Sequence, residues 1–143
     1  MKAYLSVPII ANRSVDTARL MARAIKAAGH ELVSPWVLTD QETRPSESIN
    51  IFSRDRTAVE GCDVLVAEVS RPSTGVGMEV MTAYQARKRI ILVAETGSKI
   101  TRMLTDMKEA EWVYFADEMS LTRNLQSKLS EEHDSNSLSR PPS

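Results

Sequence analysis

The chain has 143 residues, of which 42% are hydrophobic, and its formal net charge is −1. This length fits one domain with its own core. A charge this close to zero gives no reason to expect a nucleic-acid or membrane-surface partner, and no apolar run approaches the ~18 residues of a bilayer span.

Strand and helix patterns alternate along the chain. Residues 2–7 predict a strand ended by Pro8, a loop follows to Arg13, and Ser14 is a plausible cap for a helix that Gly29 stops. The later predicted elements are a strand at 31–34, a polar loop at 35–45, a helix from Ser46 to about Gly61, a strand at 63–69, a helix from about Val76 to Arg87, a strand at 89–94, a short helix at 99–108, a strand at 112–115 and a charged helix at 117–132.

This order predicts an α/β fold: a doubly wound, mainly parallel five-stranded sheet with helices on both faces, of the Rossmann or flavodoxin-like kind. One domain spans 1–132, and the Ser/Pro-rich tail 133–143 is predicted to be disordered. Ligands of such sheets bind beyond the carboxyl ends of the strands. We therefore expect the loops after the strands to form the site and to bring Glu79 near Arg13.

The stretch from Ser70 to Glu79 carries the first functional signal, because it reads as a small-residue turn between a buried strand and a helix. Gly75 and Gly77 lack a Cβ, so a ligand can approach their backbone. The helix start offers N–H groups to an anion, and Glu79 is predicted in the first helical turn. The alternative is structural, since the helix dipole favours an acidic residue there and Gly-x-Gly also fits a plain connection.

The second signal is Asp55, which the spacing places on the inward stripe of its helix. That stripe is marked by Ile49, Phe52 and Val59. A buried carboxylate is costly unless it is paired or used. Asp55 is therefore either a second catalytic carboxylate or the partner of a base such as Arg54 or Arg56.

The remaining reactive side chains predict no metal centre, no cofactor and no nucleophile–histidine pair. Cys62 is the one cysteine and fits a packed, inert thiol in a reducing cytosol, while Asp63 fits a turn or cap. His30 and His133 are isolated in the sequence. We expect a cytosolic location without a signal peptide.

Tyr4, Asp55 and the run Ala-Glu-Val-Ser-Arg-Pro-Ser-Thr-Gly-Val-Gly-Met-Glu at 67–79 resemble the 2-deoxyribosyltransferase superfamily. Within it, the chain is most similar to the 2′-deoxynucleoside 5′-monophosphate N-glycosidases. The resemblance covers roughly residues 2–115. It implies a nucleophile at Glu79 that attacks C1′ of the sugar, a carboxylate at Asp55 that assists at the sugar and in proton transfer, and a tyrosine at Tyr4 that holds the nucleophile.

The resemblance also implies a phosphate cradle and a homodimer. Ser73 and the backbone of Gly75 and Gly77 match the cradle for the 5′-phosphate. A neighbouring subunit completes the cradle with a serine in this branch, and the segment 103–107 is similar to that region, with Thr105 at the serine position and Met107 at its end.

The first loop departs from the Gly-Ser-Ile-Arg-Gly-Gly type sequence of the family. The family arginine falls on Ile10, and Arg13 is the candidate replacement for contacts to sugar and phosphate. We expect a hydrolase that releases the base from (2′-deoxy)nucleoside 5′-monophosphates. The alternatives are a base-exchanging deoxyribosyltransferase, a ribonucleotide-specific hydrolase and a nucleotide-binding module without catalysis.

Overall fold

A computed structural model describes residues 1–9, 15–39 and 49–131 of the chain. Within these ranges, helices alternate with the strands of a single sheet. The elements are β1 (Lys2–Ser6), α1 (Val15–Ala27), β2 (Glu31–Leu32), a 3₁₀ helix (Pro35–Leu38), α2 (Ile51–Gly61), β3 (Val64–Glu68), α3 (Thr74–Gln85), β4 (Arg89–Glu95), α4 (Arg102–Thr105), β5 (Ala110–Phe115) and α5 (Glu118–Ser130). The predicted caps Ser14 and Ser46, the candidate Arg13 and the tail 133–143 lie outside the described residues.

The sheet has the strand order β2-β1-β3-β4-β5, and every neighbouring pair is parallel. The predicted doubly wound α/β fold is therefore confirmed. The chain leaves β1 toward α1 and leaves β3 toward α3, and these helices cover opposite faces of the sheet. The order changes direction between β1 and β3, which opens a crevice at their carboxyl ends, where ligands of this kind of fold bind.

Alternation along the strands divides the core into two layers. On β1, Ala3 and Leu5 pack with α1 and α5 on one face, whereas Tyr4 points to the other face with the apolar side chains of α2 and α3. Ser6, two residues after Tyr4, is buried and also points toward α3, where its hydroxyl reaches Glu79. The packing thus aims two hydroxyl side chains of β1 at the same helix.

Helix α2 differs from its prediction at its N-terminal end. It begins at Ile51 because the Asn50 side chain accepts a hydrogen bond from the Ser53 N–H and caps it. Ile49 and Phe52, expected on the buried stripe, are 44% and 58% exposed, and Val59 is the buried apolar member. Only the C-terminal part of α2 lies on the sheet, so the apolar stripe was predicted wrongly at its start.

Two further elements are shorter than the sequence predicts. The strand expected at 31–34 extends only over Glu31–Leu32 at the edge of the sheet, although the Val33 N–H still donates to the Ala3 carbonyl at 2.9 Å. The chain then forms the 3₁₀ helix inside the predicted polar loop, with Val37 buried. The helix expected at 99–108 has a single turn, Arg102–Thr105, capped by the Thr101 side chain.

Several residues have the structural roles expected of them. Cys62 is buried, and burial raises the pKa of its thiol to about 11, as a packed and inert cysteine requires. The Asp63 carboxylate accepts a hydrogen bond from the Lys2 backbone N–H at 2.7 Å. None of the described helices is long and apolar enough to cross a membrane.

Candidate active site

The site centres on Glu79, which projects from α3 toward β1. The Tyr4 hydroxyl donates to Oε2 of Glu79, and the Ser6 hydroxyl donates to Oε1 at 2.9 Å. Both donors are at most 1% exposed. Each carboxylate oxygen therefore has one buried hydroxyl partner, which fixes the orientation of the side chain.

Ser6 is a site residue that the sequence reasoning missed. The signal was present, because residues two apart on a strand point to the same face, and Ser6 follows Tyr4 by two positions. A serine on the buried face of a central strand needs a hydrogen-bond partner. Here that partner is Glu79.

Burial is the main cause of an altered acidity at Glu79. It raises the pKa of the carboxyl from its ordinary 4.5 to about 7, against the hydrogen bonds from Tyr4 and Ser6, which favour the charged form. The charge of Asp55 raises this pKa further, and that of Arg54 lowers it. A carboxyl with this pKa changes its charge near neutral pH, as is common at functional sites.

Tyr4 remains a neutral phenol. Burial first, and then the adjacent Glu79 charge, raise the pKa of its hydroxyl well above the ordinary value of 10.0. Since the proton stays on the phenol, Tyr4 acts as a hydrogen-bond donor to Glu79. Its ring also meets Trp36 edge-on, with centroids 6.2 Å apart and planes at 64°.

Asp55 faces the site from α2 and pairs with a base of the same helix, as one of its two interpretations predicts; its catalytic role stays a prediction. Its side chain is 16% exposed, and its Oδ1 accepts a hydrogen bond from Nε of Arg54 at 2.8 Å. The ion pair is with Arg54 rather than Arg56, which pairs with Glu60. Asp55 nevertheless lies close enough to Tyr4 and Glu79 for its charge to raise the pKa of both groups.

The N-terminus of α3 differs from its prediction by two residues. Ser73 caps the helix by accepting from the Val76 N–H at 3.3 Å, so Gly75 and Gly77 lie inside the helix rather than in a turn before it. Glu79 falls in the second helical turn, and the first-turn dipole explanation for its identity was wrong. The overlooked signal is Ser73 itself, a favoured capping residue.

Gly75 and Gly77 differ in whether their N–H groups are bonded within the helix. The Gly77 N–H donates to the Ser73 carbonyl at 3.1 Å within the helix. The N–H groups of Thr74 and Gly75, the first two helical residues, have no intrahelical acceptor. A Cβ at either glycine would meet nothing within 4 Å, so the chain itself gives no packing reason for them. The space in front of them is open to a ligand.

Thr105 and Met107 lie elsewhere within one chain. Thr105 is exposed at the end of α4, and its N–H donates to the Thr101 carbonyl at 3.2 Å. Met107 packs against the core layer that contains Tyr4. In the described part of the chain, neither residue is hydrogen-bonded to Tyr4, Asp55 or Glu79.

A separate groove lies away from this site. This groove of about 730 Å³ runs along α5 and is lined by Leu20, Met119 and neighbouring polar side chains, on the face of the sheet opposite Glu79. It holds no pair of carboxylates facing a buried donor. The carboxylates and buried hydroxyl donors described above lie at Glu79 instead. Among the residues described, no group of three or more His, Cys, Asp or Glu side chains is placed to hold a metal ion.

Comparisons with known proteins identify the family of the chain. Residues 3–126 match the family model for nucleoside 2-deoxyribosyltransferase. A protein of Methanococcoides burtonii, with the provisional name 2′-deoxynucleoside 5′-phosphate N-hydrolase 1, is 33% identical over 109 residues, which are 73% of this chain and 88% of that protein.

Solved structures show the same fold. The CMP N-glycosidase BcmB of Clostridium botulinum superposes with a TM-score of 0.68 at 16% identity, over 90% of this chain and 99% of that one. A 2-deoxyribosyltransferase from Bacillus psychrosaccharolyticus gives 0.65 at 18% identity, over 96% of both chains. With the matched residues reaching from β1 into α5, the chain belongs to the nucleoside 2-deoxyribosyltransferase family.

Proposed function

We propose that this protein hydrolyses the N-glycosidic bond of nucleoside 5′-monophosphates, preferably 2′-deoxynucleotides, to the free base and the sugar 5-phosphate. The observation that carries the proposal is the Glu79 carboxylate, held by Tyr4 and Ser6 beside Asp55. The name of the Methanococcoides burtonii relative supports the substrate class.

The reaction proceeds in two steps. An oxygen of Glu79 attacks C1′, the C1′–N bond breaks, and its electron pair leaves with the base, which takes up a proton. A water molecule then attacks C1′, the bond from C1′ to Glu79 breaks, and the water gives up a proton. Asp55 assists both proton transfers. Paired carboxylates with divided roles are the usual solution to glycoside cleavage, since the transition state resembles an oxocarbenium ion.

The start of α3 binds the 5′-phosphate. The N–H groups of Thr74 and Gly75 point out of the helix end, whose partial positive charge favours an anion. The Ser73 hydroxyl adds a donor, and the absent side chains of Gly75 and Gly77 leave room. A phosphate held there anchors the substrate away from the bond that breaks, and this binding energy positions C1′ at Glu79.

Base release tests this function directly. We expect free base from one or more deoxynucleoside 5′-monophosphates, measured by chromatography, and no release by Glu79→Gln. Glu109→Gln serves as the matched control, because it removes an exposed carboxylate outside the site. If the wild-type protein releases no base from any nucleotide or nucleoside, the enzyme proposal is wrong.

The second candidate function is base exchange on deoxynucleosides, which the family match favours. It uses the same Glu79 adduct with a second base in place of water. Adding adenine or cytosine during turnover separates the two functions. A new nucleoside or nucleotide indicates transfer, whereas an unchanged yield of sugar 5-phosphate indicates hydrolysis.

The protein acts as a homodimer in the cytosol, with each site shared between subunits. The dimer is supported by large apolar side chains exposed on the face of the sheet that holds the site: Met78, Met81 and Tyr84 on α3, Phe52 on α2 and Met103 on α4. Thr105, which is exposed close to Met103, reaches the partner's phosphate site. A single reduced, buried cysteine suits the cytosol.

Mixing inactive variants tests the shared site. Glu79→Gln and Thr105→Val are expected to lower activity separately, and activity is expected to rise after the two are unfolded and refolded together, because one site of each mixed dimer is then intact. Sedimentation gives the mass, and Met81→Glu is expected to yield monomers. A wild-type monomer, or mixing without any gain in activity, contradicts the shared site.

A further inference from the structure

A series of contacts links Tyr4, which bonds to Glu79, with Asp55, and two of its members have no role in the mechanism above. Arg54 lies with its guanidinium carbon 4.2 Å from the centre of the Trp36 ring, while its Nε donates to Asp55 at 2.8 Å. Trp36 in turn meets the Tyr4 ring edge-on. The contacts therefore run from Tyr4 through Trp36 and Arg54 to Asp55.

The ion pair is well suited to fixing a side chain. Arg54 and Asp55 are 25% and 16% exposed, so solvent screens their attraction less than at an open surface. The planar guanidinium uses its face on the indole and its edge on the carboxylate at the same time, which an ammonium group cannot do. Neighbours on a helix do not otherwise face each other, so Trp36 is what holds Arg54 against Asp55.

Among the described residues, the charged and titratable groups that face Glu79 come from two elements. Tyr4 lies on β1 with the hydroxyl of Ser6, and Arg54 and Asp55 lie on α2. Of these, Arg54 carries the one positive charge, and it favours the ionised form of Glu79 that attacks C1′. Without Arg54, two carboxylates would face each other across the site.

We propose that Arg54 and Trp36 are positioning residues of the reaction: stacked on each other, they fix the Asp55 carboxylate and keep Glu79 in its attacking, ionised form. This proposal rests on the proposed function for its kinetic consequences. Neither side chain needs to touch the substrate. The matched control is Arg56, which has the same charge on the same helix but is 60% exposed and pairs with Glu60.

Two measurements on Arg54→Gln test the proposal. The first is the pH dependence of the kinetics, in which we expect the acidic limb of kcat/KM to move to higher pH. We expect kcat to fall about tenfold to a hundredfold with KM unchanged, because a small misplacement of a group near the reacting atoms has effects of this size. In the second, NMR titration of ¹³C-labelled glutamate, with Glu79→Gln to assign the signal, shows Glu79 ionising at higher pH. Arg56→Gln changes neither.

Conservative variants separate charge from geometry and remain informative if Arg54→Gln fails to fold. Arg54→Lys keeps the charge, so the Glu79 titration returns toward the wild-type position while kcat stays low. Trp36→Leu leaves both charges and lowers kcat by loosening Arg54. Combining Trp36→Leu with Arg54→Gln adds little further loss, because both remove the same contact.

Three results would overturn the proposal. The first is an Arg54→Gln variant that behaves like Arg56→Gln in both measurements. The second is a rise in KM at constant kcat, which would make Arg54 a plain binding contact. The third is full kcat in Arg54→Lys. If the wild-type protein releases no base, the proposed function fails on its own, and the NMR titration still decides whether Arg54 controls the charge of Glu79.

Discussion

Replacing Glu79 by glutamine should change how the stability of the protein depends on pH. In the folded protein the pKa of Glu79 is about 7, against 4.5 for an ordinary glutamate. Between these values the folded state holds a proton that the unfolded state has released. Stability therefore falls as pH rises through this window, and the loss is complete above about pH 7.

The magnitude follows from the size of the shift. At roughly 1.4 kcal/mol per pKa unit, burying Glu79 costs about 3 kcal/mol of folding free energy above pH 7 and almost nothing below pH 4.5. Glutamine carries no titrating group. Its amide keeps one acceptor oxygen and has an NH₂ group in place of the other, so either the Tyr4 or the Ser6 hydroxyl must accept from the amide instead of donating to it.

The diagnostic quantity is the difference in unfolding free energy between Glu79→Gln and wild type, measured by urea denaturation from pH 4.5 to 8. We expect this difference to move in favour of the variant by about 3 kcal/mol across the window. Glu109→Gln, an exposed substitution, controls for the general loss of one negative charge. A difference that stays constant with pH would refute the assignment of Glu79 as a buried carboxyl that titrates near neutrality.

Three further substitutions test separate parts of the structure. Ser6→Ala removes one hydrogen-bond donor from the charged Glu79, so the acidic limb of kcat/KM should move to higher pH and kcat should fall. An unchanged pH profile would contradict a positioning role for Ser6. Gly75→Ala should stabilise the fold by about 0.5–1 kcal/mol, because the new Cβ meets no atom within 4 Å. The same variant should raise KM for nucleoside monophosphates more than KM for nucleosides. Equal effects on the two KM values would argue against a phosphate site at Gly75. Arg89→Met should destabilise the protein by about 3 kcal/mol in urea unfolding and leave KM at the wild-type value. The reason is that the buried guanidinium makes two hydrogen bonds to Glu111 and one each to the Lys128 and Glu131 carbonyls.

The helix α3 shows where local sequence signals suffice and where they compete. Its existence followed from the pattern after β3, but its start was predicted at Val76 because two glycines suggested a turn. The Ser73 cap begins the helix at Thr74 instead, and a single side-chain hydrogen bond decides the boundary. In α2, the reverse occurred: Phe52 has the spacing of a core residue but is exposed, since the sheet does not extend under that end of the helix.

The sequence by itself determined the parallel α/β fold, the family and the choice of Tyr4, Asp55 and Glu79 as candidate site residues, because apolar runs and a long ordered motif are local properties of the chain. Only the tertiary structure decided that Ser6 shares Glu79 with Tyr4 and that Arg54 lies over the Trp36 ring while it pairs with Asp55. In the sequence, Glu79 is 73 positions from Ser6 and 75 positions from Tyr4, and Arg54 is 18 positions from Trp36. They depend on the pairing of β1 with β3 and on how α2 and α3 lie across the sheet, which no short stretch of sequence specifies.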